Sequence, residues 1–177
     1  LEDAAAVAGA YRHLFEAAGG GALGLFTSIR RLREVHRRIA PALEAGGLPL
    51  YAQHVDALDP GTLVDLFREE EHASLLGTDA MRDGVDVPGR SLRLVVFDRV
   101  PWPRPDILHK ARSKQLGIPK YNDMIVRLRL AQAFGRLIRR ADDKGCFVIL
   151  GAATPTRSLS GLPAGTEPGR GPGGERR

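Results

Sequence analysis

Three arginines and one glutamine share a stripe on a predicted helix near the end of the sequence. At about 100° per residue, their spacings of three, four and three residues place them on one side of the helix. They are Arg129, Gln132, Arg136 and Arg139, and the apolar residues opposite them are Leu130, Phe134 and Leu137. A guanidinium binds phosphate oxygens through a planar fork of donors. The stripe therefore favours phosphate recognition, and the alternative is an ordinary solvated basic face.

A second candidate segment, residues 75–89, follows a predicted strand and holds an acid between glycines. Thr78 lies where the strand ends, and Gly84 and Asp86 follow it. Open parallel sheets bind ligands at the carboxyl ends of their strands. A carboxylate there can accept hydrogen bonds from ribose hydroxyls, and backbone amides beside a glycine can reach a phosphate. The alternative is a turn that simply requires glycine and proline.

A third segment, residues 23–31, ends a predicted strand in two hydroxyl residues and starts a helix with arginines. Thr27 and Ser28 come first, and Arg30 and Arg31 follow in the first helical turn. Hydroxyl groups, amides at a helix N-terminus and arginine all suit the phosphodiester backbone of a nucleic acid. Ser28 also has a simpler explanation, because serine is a common helix cap.

The composition narrows the class of protein. A net charge of +5 and a pI of about 9.9 fit a polyanionic partner. The single cysteine, Cys146, excludes an internal disulfide framework and any site built from cysteines alone, and the five histidines lack metal-ligand spacing. No apolar stretch is long enough to span a bilayer, and the start at Leu1 lacks the regions of a signal peptide. We therefore expect a piece of a longer cytoplasmic protein with no membrane partner and no metal ligands of its own.

Predicted strands alternate with predicted helices over residues 22–150, which indicates an α/β domain with a mainly parallel sheet. The predicted strands cover residues 22–28, 48–53, 72–78, 91–98 and 145–150. The predicted helices cover residues 2–18, 29–45, 62–71, 105–117 and 122–141. We expect Ala6, Ala10, Leu14 and Ala17 to form the apolar face of the first helix, and Ile29, Leu32, Val35 and Ile39 that of the second.

The expected organisation has three parts. Residues 1–21 form a helix and a glycine linker, residues 22–150 form the α/β domain, and residues 151–177 form a tail of glycine, proline and charge that is expected to be disordered. The glycines of the linker precede a strand and lack a following Lys-Ser/Thr, so they are not a P-loop. The acidic run Glu69, Glu70 and Glu71 precedes a strand instead of following one, so it is interpreted as a solvated face and not as a Mg²⁺ site.

Taken together and in this order, the three segments resemble motifs IV, V and VI of superfamily 2 helicases. The phrases LLGTDAMRDGVDVPG (residues 75–89), LRLVVFDRVPWPRPD (92–106) and LRLAQAFGRLIRRADDKG (128–145) are similar to those of the DinG/XPD group of ATP-dependent DNA helicases. The resemblance covers about residues 20–150. It implies the second motor domain of such a helicase: a three-layer RecA-like domain of the P-loop NTPase superfamily that itself lacks the P-loop.

The same resemblance implies roles for individual residues. Arg136 and Arg139 would be arginine fingers at an ATP site between two motor domains, with Gln132 near the γ-phosphate. Gly84 and Asp86 would lie near the ribose and phosphate of the nucleotide. The residues that would contact the backbone of single-stranded DNA are Thr27, Ser28, Arg30 and Thr78.

The sequence also departs from the family's pattern. The P-loop, the Mg²⁺-binding box and, where present, the cysteine-held iron–sulfur cluster belong to the first motor domain, which would be the partner in cis. ATP and Mg²⁺ would thus be held mainly by that domain, and this chain alone is expected to be inactive. The alternatives are a noncatalytic RecA-like module that binds single-stranded DNA or a partner, and a truncated remnant.

Overall fold

The computed structural model describes residues 4–78, 92–99, 125 and 145–150, and helices alternate with strands as expected over residues 4–78. Their bounds are α1 Ala4–Ala18, β1 Ala22–Phe26, α2 Ile29–Ala45, β2 Leu50–Ala52, α3 Pro60–Glu69, β3 Ser74–Thr78, β4 Leu94–Phe97 and β5 Cys146–Ile149. Every predicted strand contains an observed one. The predicted helices over residues 105–117 and 122–141 lie outside the described residues, except for the helical Ile125.

The five described strands form one sheet in the order β2-β3-β1-β4-β5, and every neighbouring pair is parallel. The predicted α/β class with a parallel sheet is therefore confirmed. All five residues of β1 and all four of β4 are buried, as a strand with both faces covered requires. Because all strands run the same way, their carboxyl ends meet at one edge of the sheet.

The hydrophobic core lies on both faces of this sheet. On one face α1 and α2 pack together, and their buried side chains join strand residues such as Phe26 and Leu76 in a single cluster. The alternate strand residues, Leu25 and Leu75 among them, are also buried and point to the other face. Helix α3 contacts β2 and β3, and its buried Phe67 lies outside the first cluster. We therefore place α3 on the second face.

The buried face of α1 differs from the one expected from sequence. Its buried residues are Val7, Ala8, Tyr11 and Phe15, whereas Ala6 and Ala17 are exposed. The expectation followed the run of alanines, but Tyr11 and Phe15 bury far more apolar area and so determine which side meets the sheet. In α2, Leu32, Val35 and Ile39 are buried as expected, but Ile29 in the first turn is 41% exposed.

Helix α1 approaches the sheet closely over a glycine. A Cβ atom at Gly24, in the middle of β1, would lie 2.6 Å from Leu76 Cδ2 and 2.9 Å from Tyr11 Cε1. Tyr11 in turn stacks on Phe26, with ring centroids 5.0 Å apart. The missing side chain at Gly24 therefore lets the two aromatic rings of α1 lie directly on β1, which carries the polar residues described next at its carboxyl end.

Candidate functional site

The hydroxyl residues that are expected to bind a nucleic acid lie together at the carboxyl edge of the sheet. Thr78 ends β3 and is in register with Phe26, so it is a neighbour of Thr27 just after β1. Both threonines are partly exposed, and Ser28 is exposed. Adjacent strands are about 4.8 Å apart. The parallel register thus brings Thr27 and Thr78, which are 51 positions apart in the sequence, to one short stretch of surface.

Ser28 is the N-cap of helix α2, as its position in the sequence predicts. Its hydroxyl oxygen accepts a hydrogen bond from the backbone N–H of Arg31 at 3.4 Å, which is the geometry of an N-cap. The cap also orients the helix N-terminus, with its partial positive charge, toward the carboxyl edge. Arg30 is exposed in the same turn. Ser28, Arg30 and the helix end therefore face solvent together, where an anion can approach.

Arg31 follows Arg30 in the sequence but points inward. Its Nε donates to the carboxylate of Asp98 at 2.8 Å, and the side chains are 14% and 0% exposed. Asp98 directly follows β4, and its N–H extends the sheet by donating to Leu25 O at 3.0 Å. This buried ion pair ties the start of α2 to the end of β4, on the side of β1 away from Thr78.

The buried negative charge of Asp98 affects the pKa of Tyr11. The pKa of Tyr11 is raised well above 10.0, first because the phenol is buried and second because of the negative charge of Asp98. The Tyr11 hydroxyl donates to Val96 O at 3.4 Å. Through this hydrogen bond Tyr11 joins α1 to β4.

The ion pair lies at the point where the sheet topology changes direction. From β1 the chain leads toward β2, whereas from β4 it leads toward β5 on the opposite side. Such a divergence opens a crevice at the carboxyl ends of the two strands, where open α/β sheets commonly bind ligands. Here the Arg31–Asp98 ion pair lies at that position. The solvent-facing polar groups lie on the other side of β1, over β3 and β2.

Sequence reasoning missed two polar residues of this edge, the buried Asp98 and the partly exposed Gln53. Gln53 follows the edge strand β2, and its side-chain Oε1 accepts hydrogen bonds from both the backbone N–H and the hydroxyl of Thr78, at 2.9 and 3.0 Å. The signal that singled out Thr78, a polar residue where a strand ends, was present at Gln53 as well. It was overlooked because β2 is only three residues long and no glycine or arginine marks the position.

The residues expected at the ATP site lie outside the described residues: Gly84, Asp86, Gln132, Arg136 and Arg139. In the part of the chain that the structure describes, no three His, Cys, Asp or Glu side chains are grouped as metal ligands would be. Nor, over the same ranges, does any helix combine the length and apolar character needed to cross a bilayer.

The fold matches solved structures of helicase motor domains. A chain described as an XPD helicase superposes with a TM-score of 0.62 at 18% identity, over 84% of this chain and 28% of that one. Domain 2 of a DEAD-box helicase bound to an RNA duplex superposes with a TM-score of 0.51 at 16% identity, over 82% of this chain and 49% of that one. The parallel sheet and its helices therefore define an α/β domain of the RecA-like class.

Sequence comparison narrows this class. Residues 11–160 match the model of the helicase C-terminal domain family, and the chain belongs to that family. The chain is 39% identical to the ATP-dependent helicase DinG of Mycobacterium tuberculosis, over 81% of this chain and 22% of that protein. It is 36% identical to the 3'-5' exonuclease DinG of Bacillus subtilis, over 72% of this chain and 14% of that protein. The chain thus spans less than a quarter of the length of these curated relatives.

Proposed function

We propose that this chain is the C-terminal motor domain of an ATP-dependent DNA helicase. ATP binds between this domain and a first motor domain of the same polypeptide. Arg136 and Arg139 act as arginine fingers, with Gln132 near the γ-phosphate and with Gly84 and Asp86 near the ribose and phosphate. An arginine finger offsets the charge that develops on the transferred phosphoryl group. Mg²⁺ would be held mainly by the first domain and would neutralise further charge on the phosphates.

Single-stranded DNA, in this proposal, runs along the carboxyl edge of the sheet. The observation that carries this part is the grouping of Thr27, Ser28 and Thr78 with the exposed Arg30 at the N-terminus of α2. Hydroxyl groups, helix N-terminal amides and arginine are the groups that bind phosphodiesters without reading their bases. The name of one relative, the ATP-dependent DNA helicase YoaA of Escherichia coli, supports DNA as the nucleic acid.

The two activities are coupled by movement of the domains. Opening and closing of the inter-domain cleft with each ATP cycle would change the contacts between the domains and the DNA backbone, and this change would drive translocation. The buried Arg31–Asp98 pair supports this mechanism, because it ties the start of α2 rigidly to the sheet. The phosphate-facing edge would therefore move as one body with the domain.

A binding titration of the 177-residue chain tests the DNA-binding part of this function. We expect weak, sequence-tolerant binding of a fluorescent single-stranded oligonucleotide, with an affinity that falls as salt rises because phosphate contacts release counterions. Fluorescence anisotropy at two salt concentrations measures it. Absence of binding at low salt, or an affinity independent of salt, would rule out the proposed DNA path.

A further inference from the structure

The Gln53 carboxamide joins the carboxyl ends of β2 and β3, and its orientation follows from its partners. A backbone N–H can only donate, so the Gln53 atom that lies 2.9 Å from Thr78 N must be the carbonyl oxygen Oε1. The Thr78 hydroxyl, 3.0 Å from the same oxygen, donates to it as well. The opposite end of the carboxamide, Nε2 with its two hydrogens, is consequently directed away from Thr78.

These hydrogen bonds decide which group at this position can meet a phosphate. Phosphodiester oxygens accept hydrogen bonds and do not donate them, yet both donors of Thr78 are already used by Gln53. Nε2 of Gln53 has two hydrogens, and no hydrogen bond from it to another described residue is present. Gln53 is partly exposed. Thr78, at the end of β3, therefore has no hydrogen-bond donor left for a phosphate. Nε2 of Gln53, which follows the neighbouring strand β2, can supply that donor.

The backbone on both sides of Gln53 is fixed in place. Its own N–H donates to Leu76 O at 2.9 Å, and the N–H of Ala52 donates to Asp56 Oδ2 at 2.7 Å. His54, the next residue, has a φ of 65°, a left-handed conformation that a residue with a side chain rarely adopts. Arg33 of α2 holds that turn by donating from Nε to His54 O at 3.1 Å. Gln53 is thus preorganised by contacts from β3, from its own loop and from α2.

We propose that Gln53 is a nucleic-acid contact of this domain, with Nε2 donating to a phosphodiester oxygen of the single strand and Thr78 positioning the carboxamide. The contact extends the row formed by Thr27 and Thr78 onto the edge strand, over about 10 Å of the carboxyl edge. It rests on the proposed function, since it requires that the strand run along this edge. Thr78, on this account, acts through Gln53 instead of touching the phosphate with its hydroxyl.

The substitution Gln53→Glu keeps the accepting end of the carboxamide and replaces its donating end, so it tests the donor alone. A glutamate can still accept both hydrogen bonds from Thr78, so the melting temperature should stay unchanged, but it presents a negatively charged acceptor where the amide donated. We expect about a tenfold or greater loss of affinity for a single-stranded oligonucleotide. Leu58→Glu is the matched control, because Leu58 is 45% exposed in the same loop and receives the same charge. It should cost less than about threefold.

Two neutral variants keep the proposal testable without a change of charge. Gln53→Met should also weaken binding about tenfold, and the slope of affinity against salt should stay that of the parent, because an uncharged contact releases no counterion. Thr78→Val keeps the backbone hydrogen bond to Gln53 but removes the hydroxyl that also holds its oxygen, so it should weaken binding about threefold, less than Gln53→Met does.

The outcomes separate this inference from the proposed function. If the parent chain binds DNA and both Gln53 variants bind like the parent, Gln53 is not a contact and only this inference fails. If Thr78→Val loses as much affinity as Gln53→Glu, the threonine hydroxyl meets the phosphate directly and the inference is again wrong. If the parent chain itself does not bind at low salt, the proposed DNA path fails and this contact fails with it.

Discussion

Arg30 and Arg31 are adjacent in the sequence, yet the structure gives them opposite surroundings. A helical step of about 100° turns Arg30 toward solvent at the carboxyl edge and Arg31 toward the buried Asp98. Removing one partner of a buried ion pair leaves a desolvated charge without its counter-charge, which costs far more than removing a solvated one. Two identical substitutions in one helical turn should therefore have separable effects.

We expect Arg31→Ala to lower the free energy of unfolding by about 3–5 kcal/mol, because it leaves the Asp98 carboxylate buried without its guanidinium. Arg30→Ala should change the same free energy by less than about 0.5 kcal/mol. It should instead weaken DNA binding and reduce the salt slope by about one counterion. Urea unfolding and anisotropy titrations of the two variants provide the measurements. Equal stability of the two variants would show that the ion pair contributes nothing to the fold.

Tyr51 and Glu70 provide a second test at the residue scale, through their dependence on pH. The Tyr51 hydroxyl donates to Glu70 Oε1 at 2.6 Å, and this hydrogen bond, followed by burial, raises the pKa of Tyr51 from 10.0 to about 12. A tyrosine whose pKa is raised by folding stabilises the fold while it stays protonated. That contribution is fully present below pH 10 and is lost as the pH rises toward 12.

We therefore expect the stability difference between the parent and Tyr51→Phe to be largest below pH 10 and to shrink between pH 10 and 12. Urea unfolding at a series of pH values measures that difference. Glu70→Gln, which keeps an acceptor but removes the charge, should move the decline to lower pH. A difference that stays constant across this range would mean that Tyr51 and Glu70 do not interact in solution.

Sequence reasoning located single residues well where the signal was local. The cap formed by Ser28 and the place of Thr78 at the end of β3 both follow from neighbouring residues. Asp98 and Gln53 were missed, because their partners Arg31 and Thr78 are 67 and 25 positions away. No periodicity or spacing within one segment indicates that two such distant residues are paired. It becomes visible only when the register of the parallel strands is known.

At the scale of elements, α1 is held against β1 by the absence of a side chain at Gly24. We expect Gly24→Ala to lower the free energy of unfolding by about 1–3 kcal/mol, because the added methyl group would overlap Leu76 and the rigid ring of Tyr11. Gly9→Ala is the matched control, since a Cβ at Gly9, inside α1, meets nothing within 4 Å. That variant should gain about 0.5–1 kcal/mol from helix propensity. Thermal or urea unfolding measures both, and a neutral Gly24→Ala would contradict the close packing of α1.

Helix α1 also shows which property of an element cannot be predicted from its own sequence, namely the face that it buries. Each described helix and strand was anticipated within a few residues, because alternating apolar runs, caps and glycines are local signals. The buried face of α1 was placed wrongly, since alanine-rich stretches have several nearly equivalent apolar faces. The choice between them was made by Tyr11, Phe15 and the groove over Gly24, which belong to different elements.

At the scale of the whole molecule, the chain leaves β1 and β4 in opposite directions along the sheet. The Arg31–Asp98 pair lies at the carboxyl ends of β1 and β4, where open α/β sheets commonly bind ligands. The chain also spans only 22% of the DinG relative of Mycobacterium tuberculosis. In the proposed function, a first motor domain completes the ATP site. The alternative hypothesis is a noncatalytic DNA-binding module. The two hypotheses differ in whether this chain contributes residues to ATP hydrolysis.

The most direct test of that contribution is the effect of Arg139 on turnover in a two-domain motor, made by joining this chain to the P-loop motor domain of a DinG-type helicase. We expect DNA-stimulated ATP hydrolysis by the parent, and a kcat lowered about a thousandfold or more by Arg139→Ala, with ATP affinity and melting temperature nearly unchanged. Arg139→Lys should recover little, because lysine lacks the planar fork. Arg37→Ala, at a side chain 71% exposed on α2, is the charge-matched control and should leave kcat at the parent value. If Arg139→Ala hydrolyses ATP as fast as the parent, this chain does not supply the arginine finger and the central claim is wrong.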